Sequence, residues 1–180
     1  MNFPFRGSHF RPRMRSVVVA VDGGSRGNNR ADPTSRAAWG IYWGPGCYSN
    51  QCGTLASSER QTSGRAELQA VRHALISVQA RRAQGDLGDW REVIIKLDAD
   101  YVKRSFNEYV WNWEKNGWKK SDGKPVEHLD LIQEIQSMLR EIEKDGAVRF
   151  WRVDRQWNQD ADALVNHALD FGSDSGYGDD

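Results

Sequence analysis

Four carboxylates stand where their spacing could do chemistry. Asp22 closes a run of five apolar, mostly β-branched residues, Val17 to Val21, and Asp98 closes a second such run that ends at Leu97. In an open α/β sheet, sites form where the carboxyl ends of neighbouring strands meet. If these two strands are neighbours, both side chains emerge within a few ångströms of one another, and charges that close repel unless a proton or a cation intervenes. A hard divalent metal answers that need, because such ions prefer carboxylate oxygens. Glu67 lies four residues before Val71 and eight before Leu75, on the stripe that should face the sheet, and an acid on a buried face needs a reason. Asp162 falls in the first turn of a last helix, where the helix dipole favours an anion. Each acid alone has a plainer role: Asp22 as a strand-end turn residue, Glu67 as a partner of Arg65 or Arg72, Asp98 as a helix cap, Asp162 as a dipole charge. Two acids at strand ends together with two on inward helix faces are harder to dismiss than any one.

The elements that must carry them follow from apolar periodicity. Residues 17–21 and 92–97 read as strands buried on both faces. A polar loop is expected from Gly23 to about Arg36, followed by two strands over 37–43 and 48–55 joined at Gly44-Pro45-Gly46 as a hairpin. From Thr62 the period changes to that of a helix, with Leu68, Val71, Leu75 and Val78 on one stripe until about Arg82. Short helical pieces are expected over 99–114, and a long amphipathic helix after Pro125 carries Leu129, Ile132, Ile135, Met138, Leu139 and Ile142. Residues 147–153 read as the last strand, and Asn158 is placed to cap a final helix striped by Ala161, Leu164, Val165, Ala168 and Leu169. Three strands, helix, strand, helices, strand, helix is the order of a mixed sheet with helices on both faces.

Length and composition bound the rest. At 180 residues, with 38% apolar and 28% charged residues and eight Trp, the chain has room for one globular α/β domain, expected over 16–171. Lys+Arg and Asp+Glu cancel at 25 each, so a polyanionic partner must be met by a local patch. Cys47 and Cys52 lack the neighbours of a zinc site or a disulfide framework, which fits a reducing, intracellular compartment. No apolar run approaches the roughly 18 residues that span a bilayer, and a monomer is the default. Residues 1–15 are basic and free of acids, which suits either a flexible tail of a nuclear or cytoplasmic protein or a mitochondrial presequence. Residues 172–180 are Gly, Ser, Tyr and Asp and read as a disordered acidic tail.

The local patch lies between Tyr101 and Lys124. Tyr101, Phe106, Tyr109, Trp111, Trp113 and Trp118 interleave there with Lys103, Arg104, Lys115, Lys119, Lys120 and Lys124, against only Glu108, Glu114 and Asp122. Aromatic faces among cations suit nucleic acid; the plainer reading makes several of the Trp core anchors.

These pieces together resemble a type 1 ribonuclease H. The resemblance runs from about Val17 to Leu169. It rests on Val21-Asp22-Gly23 with Arg26-Gly27-Asn28, Arg60-Gln61-Thr62 leading to Arg65-Ala66-Glu67-Leu68, and Leu97-Asp98-Ala99-Asp100. The run from Asn112 to Lys119 and Asn158-Gln159-Asp160-Ala161-Asp162 complete it. It implies the RNase H-like fold, a five-stranded mixed sheet whose first three strands are antiparallel. It also implies a hydrolase that cuts the RNA strand of RNA/DNA hybrids, with Asp22, Glu67, Asp98 and Asp162 around two Mg²⁺, or Mn²⁺, ions. Residue by residue, it places Arg60 and Thr62 at a DNA-strand phosphate and Asn28 at RNA 2′-hydroxyls. Tyr109, Trp113, Lys115, Trp118, Lys119 and Lys120 fall in a basic protrusion that grips the DNA strand, with Trp113 and Trp118 structural and Tyr109 where an aromatic stacks.

Two departures stand out. Ser63-Gly64 replaces two amide side chains that help to read the RNA strand, leaving Ser63 as the contact there. The loop before the last helix lacks a His common in the family and is shorter, a form shared with a subset of the family in which an Arg follows the strand. Arg155 is then the candidate substitute, or else the partner of Asp154 or Asp160 in a surface ion pair. Because an Arg keeps its proton, it serves as a phosphate or product holder rather than a base. The competing readings are a binding module of the same fold with little or no turnover, and a nuclease of another duplex.

Overall fold

The computed structural model describes residues 15–27 and 35–172. Asn28, nearly all of the basic N-terminal segment and the acidic tail lie outside the described residues. Five strands form one sheet in the order β3-β2-β1-β4-β5. β1 (Arg15–Arg26), β2 (Arg36–Tyr42) and β3 (Gln51–Thr54) pair antiparallel, whereas β1 with β4 (Trp90–Leu97) and β4 with β5 (Ala147–Arg152) pair parallel. α1 (Ser63–Ala83) provides the crossover between β3 and β4. α2 (Asp100–Arg104), a π-helical turn (Ser105–Tyr109), α3 (Val110–Lys115) and α4 (Leu129–Ile142) link β4 to β5. A 3₁₀ turn (Arg155–Trp157) leads into α5 (Gln159–Phe171). The expected mixed sheet with helices on both faces is the fold observed.

The main core lies between the sheet and α1, α2 and α4. Val19, Val21, Val93 and Ile95 of the central strands meet Leu68, Val71 and Leu75 of α1 and Ile132, Ile135 and Ile142 of α4, all buried. Fully burying each such side chain contributes roughly 1.5–3 kcal/mol. On the other face α5 sets Leu164, Val165, Ala168 and Leu169 against Ala38 and Cys52.

Two elements differ from expectation. β1 does not stop at Asp22 but continues through Gly23-Gly24-Ser25-Arg26, paired with residues 36–39 of β2. The Gly/Ser stretch reads as loop because it has nothing to bury, yet its missing side chains let helices approach on both sides. A Cβ on Gly23 would fall 2.2 Å from Glu67 N, and one on Gly24 3.1 Å from Val165. β3 is also shorter than expected, because Asn50 holds a wide turn: it accepts from Trp43 N at 2.7 Å and donates to Gly44 O at 2.8 Å.

Candidate active site

The parallel register of β1 and β4 pairs Val19 with Ile95 and Ala20 with Lys96; continued for two residues it sets Asp22 opposite Asp98. β4 ends at Leu97, whereas β1 runs on to Arg26, so a cleft opens beside its free edge. Glu67 enters from α1, one turn after the Thr62 cap, whose Oγ1 accepts from Arg65 N at 3.3 Å. The close contact of α1 with Gly23 delivers it there. Asp162 enters from the first turn of α5. The four side chains share one open cleft of about 290 Å³ with Ser25, Arg26, Ser63, Arg155 and Asn166.

The plainer roles of Glu67 and Asp98 do not hold, whereas Asp162 does sit in the first turn of α5. Arg65 pairs with Glu59 at 2.6 Å and Asp130 at 2.8 Å, and Arg72 with Glu134 at 2.7 Å, so neither is taken up by Glu67. Ala99, not Asp98, is the N-cap residue of α2. Burial pushes the Asp22 carboxyl up to about 7, helped by the charges of Asp98 and Asp162 and opposed by the Gly23 N–H and Arg155. Burial likewise raises Glu67 to about 7, with the charges of Asp22 and Asp98 adding to it.

Arg155 reaches into the same cleft. Its Nη2 donates to Asp162 Oδ1 at 2.7 Å, which settles its partner as neither Asp154 nor Asp160. Asn166, one turn further along α5, donates to Asp162 Oδ2 at 2.9 Å and accepts from Arg26 at 3.2 Å. Sequence reading passed over Asn166, although a four-residue spacing from Asp162 is the signal of a shared helix face. Asn158 is the N-cap residue of α5 as expected, but its side chain makes no cap hydrogen bond. Asn158 is buried, and its Nδ2 donates to Val21 O at 2.9 Å, tying the start of α5 to β1 one residue before Asp22. A β-strand 137 residues away is no signal that local pattern carries.

The donor set fits hard divalent cations: four carboxylates, two of them held where their charges are least tolerated. Among the described residues no three His, Cys, Asp or Glu side chains close up enough to enclose one ion by themselves.

The expected substrate contacts divide. Ser63 Oγ lies in the cleft, 2.9 Å from Ser25 Oγ. Thr62 caps α1 beside the exposed Arg60. In the basic segment Lys115 and Lys119 are exposed, and Lys120 pairs with Glu127 at 3.2 Å. Tyr109 is half-buried, with its ring centroid 5.5 Å from that of Trp113 and the Arg104 guanidinium 5.3 Å from its own. Trp113 itself is only 8% exposed and belongs to the core. It anchors the segment and offers no face to a ligand, so within the protrusion it is structural and not itself a contact. Trp118 packs on the same core, in the left-handed region at φ 63°, and its N–H donates to Trp113 O at 2.6 Å.

A mixed sheet whose central strand ends converge on four carboxylates defines the class of carboxylate-site, metal-using nucleases. The chain matches the RNase H family over residues 14–170 and belongs to that family. Ribonuclease H of Paracidovorax citrulli is 28% identical over 164 residues, covering 87% of this chain and 96% of the relative. Ribonuclease H1 of Mus musculus is 30% identical over 125 residues, 69% of this chain and 40% of that one. The solved structure of LC11-RNase H1 in complex with RNA/DNA hybrid is alike in fold, with a TM-score of 0.56 at 21% identity over 86% of this chain and 96% of that one.

Proposed function

We propose that this chain hydrolyses the RNA strand of RNA/DNA hybrids endonucleolytically, leaving 5′-phosphate and 3′-hydroxyl ends, with Asp22, Glu67, Asp98 and Asp162 as the holders of two Mg²⁺ ions. The observation that carries this reading is the meeting of the four carboxylates in one cleft, with Asp22 and Glu67 pushed up to about 7. Cations bound there would supply charge to activate an attacking water and to steady the leaving oxygen of a phosphodiester. The chain's own groups do the positioning. Arg155 and Asn166 hold the two oxygens of Asp162 in one orientation, and Arg155 keeps a positive charge at the cleft wall for a phosphate or a departing product.

Ser25 and Ser63 set two hydroxyls beside the carboxylates, where a ribose 2′-hydroxyl can be met; that group distinguishes RNA from DNA. Arg60 and Thr62 serve a phosphate of the DNA strand, and Lys115, Lys119 and Lys120 its continuation, with Tyr109 beside them. The chain acts as a monomer inside the cell, in the nucleus or cytoplasm or, where the basic residues 1–15 serve as a presequence, in mitochondria, which localisation of a fluorescent fusion decides.

The experiment is cleavage of a labelled hybrid beside single-stranded RNA, duplex RNA and duplex DNA, with Mg²⁺, with Mn²⁺ and with EDTA, comparing wild type with Asp98→Asn. Cutting confined to the RNA of the hybrid, dependent on metal and on Asp98, is the expected result. A hybrid that is bound yet survives under both metals overturns the reading.

A further inference from the structure

α5 covers only part of its face of the sheet. It packs on β1, β2 and β3, and among the described residues no helix covers the part of that face formed by β4 and β5. The parallel register puts Ile94 beside Arg149 and Lys96 beside Trp151 on this open face, while Val148 and Phe150 point to the opposite side and pack on the core. Trp151 is 53% exposed and Trp157, in the turn that follows β5, 67%. Lys96 links the two, since it neighbours Trp151 in the ladder and its Nζ donates to Trp157 O at 2.9 Å. Glu92, the acid of this face, is engaged by Arg149 and by Ser16 Oγ.

Large exposed indoles serve no core contact, and two of them joined through one Lys mark a candidate interaction site. Indole faces beside Lys and Arg side chains are the recurring composition of surfaces that stack unpaired bases and hold their phosphates. The face is also continuous with the cleft. Arg155 lines the cleft, and Trp157 stands two residues further along the same turn.

We propose that the β4–β5 face, through Trp151, Trp157 and Lys96, binds a single-stranded RNA flank that continues the strand lying in the active-site cleft. This rests on the reading of the chain as a hybrid-cutting nuclease. Its consequence is a preference for hybrids that carry an unpaired RNA extension over blunt ones.

The test compares a blunt hybrid with the same hybrid extended by an RNA flank of about eight nucleotides, on the 5′ or the 3′ side, a length within the reach of such surfaces. Wild type should show a KM for one flanked substrate lower by about fivefold or more, the lower end of what base stacking on an aromatic provides. In Trp151→Ala/Trp157→Ala that advantage should vanish while kcat and KM on the blunt hybrid stay at the wild-type values. Trp151→Phe/Trp157→Phe should keep it. No preference in wild type for either flank, or a preference that survives in the double Ala variant, overturns the proposal.

Failure of wild type to cut any hybrid refutes the nuclease reading separately. Fluorescence anisotropy of labelled single-stranded RNA then decides the surface: equal affinity for wild type and the double Ala variant overturns it. A wild-type dimer in sedimentation that the double Ala variant dissolves assigns the face to a second copy and overturns it as well.

Discussion

The carboxylate cleft and the basic-aromatic segment over residues 100–126 both read as functional in sequence, and the structure treats them in opposite ways. In the cleft, like charges from four separate elements are crowded together, and Asp22 and Glu67 hold their protons up to about 7. In the segment, charges are spread out and several are paired, as Arg104 is with Glu108 and Lys120 with Glu127. Its most conspicuous aromatic residue, Trp113, is core. The contrast teaches that electrostatic discomfort is a better mark of chemistry than abundance of suggestive residues. Groups whose titration is strongly perturbed cluster at functional sites.

The sharpest way to break this comparison is Asp98→Asn, which removes a cleft carboxylate without changing shape. Because metal-assisted charge stabilisation supplies several kcal/mol, kcat on a hybrid should drop on the order of 10³-fold or more, with the circular dichroism spectrum unchanged. Residual activity within tenfold of wild type would remove Asp98 from the site. Next in size is Trp113→Ala in the other region. Truncating a buried Trp costs about 3–5 kcal/mol, so the denaturation midpoint in urea should fall steeply; a small change would refute its anchoring role.

A third test exploits the raised carboxyls. The native protein keeps protons on Asp22 and Glu67 that the unfolded chain loses near pH 4. Their contribution to stability is therefore present at and below about pH 4, and is lost as pH rises to about 7. The metal-free protein should melt lower at pH 8 than at pH 5, and Mg²⁺ should raise the melting temperature more at pH 8 than at pH 5. Asp22→Asn should stabilise the metal-free protein at pH 8 by on the order of 1–2 kcal/mol. A melting temperature that rises from pH 5 to pH 8 without metal contradicts the crowding of these groups. The smallest effect is expected from Lys115→Ala/Lys119→Ala. It should raise KM several-fold and flatten the salt dependence of hybrid binding by about 0.9 per lost phosphate contact, leaving stability and kcat unchanged.

How much was legible from the residues follows the same division. The long helix carrying Ile132, Ile135 and Ile142 emerged as Leu129–Ile142 because an amphipathic stripe is a local property, repeated every turn. The four acids were found because strand ends and inward helix faces are marked by the apolar residues beside them. Gly23 to Arg26 were misassigned as loop because polar, side-chain-poor residues carry no periodicity; their pairing to β2 and the close passage of α1 decide their conformation. Trp113 could not be told from Trp111 by type, yet one is buried and the other exposed.

Taken by itself, then, the sequence determined the order of strands and helices and the identity of the acids, since periodicity, strand ends and helix starts are written within a few residues of each other. Only the tertiary structure decided which acids are crowded, that Arg155 and Asn166 bind Asp162, that Asn158 fastens α5 to β1, and that among the described residues no helix covers the β4–β5 face. Each of these depends on distances between segments far apart in the chain, and burial and charge act through those distances, not through neighbourhood in sequence.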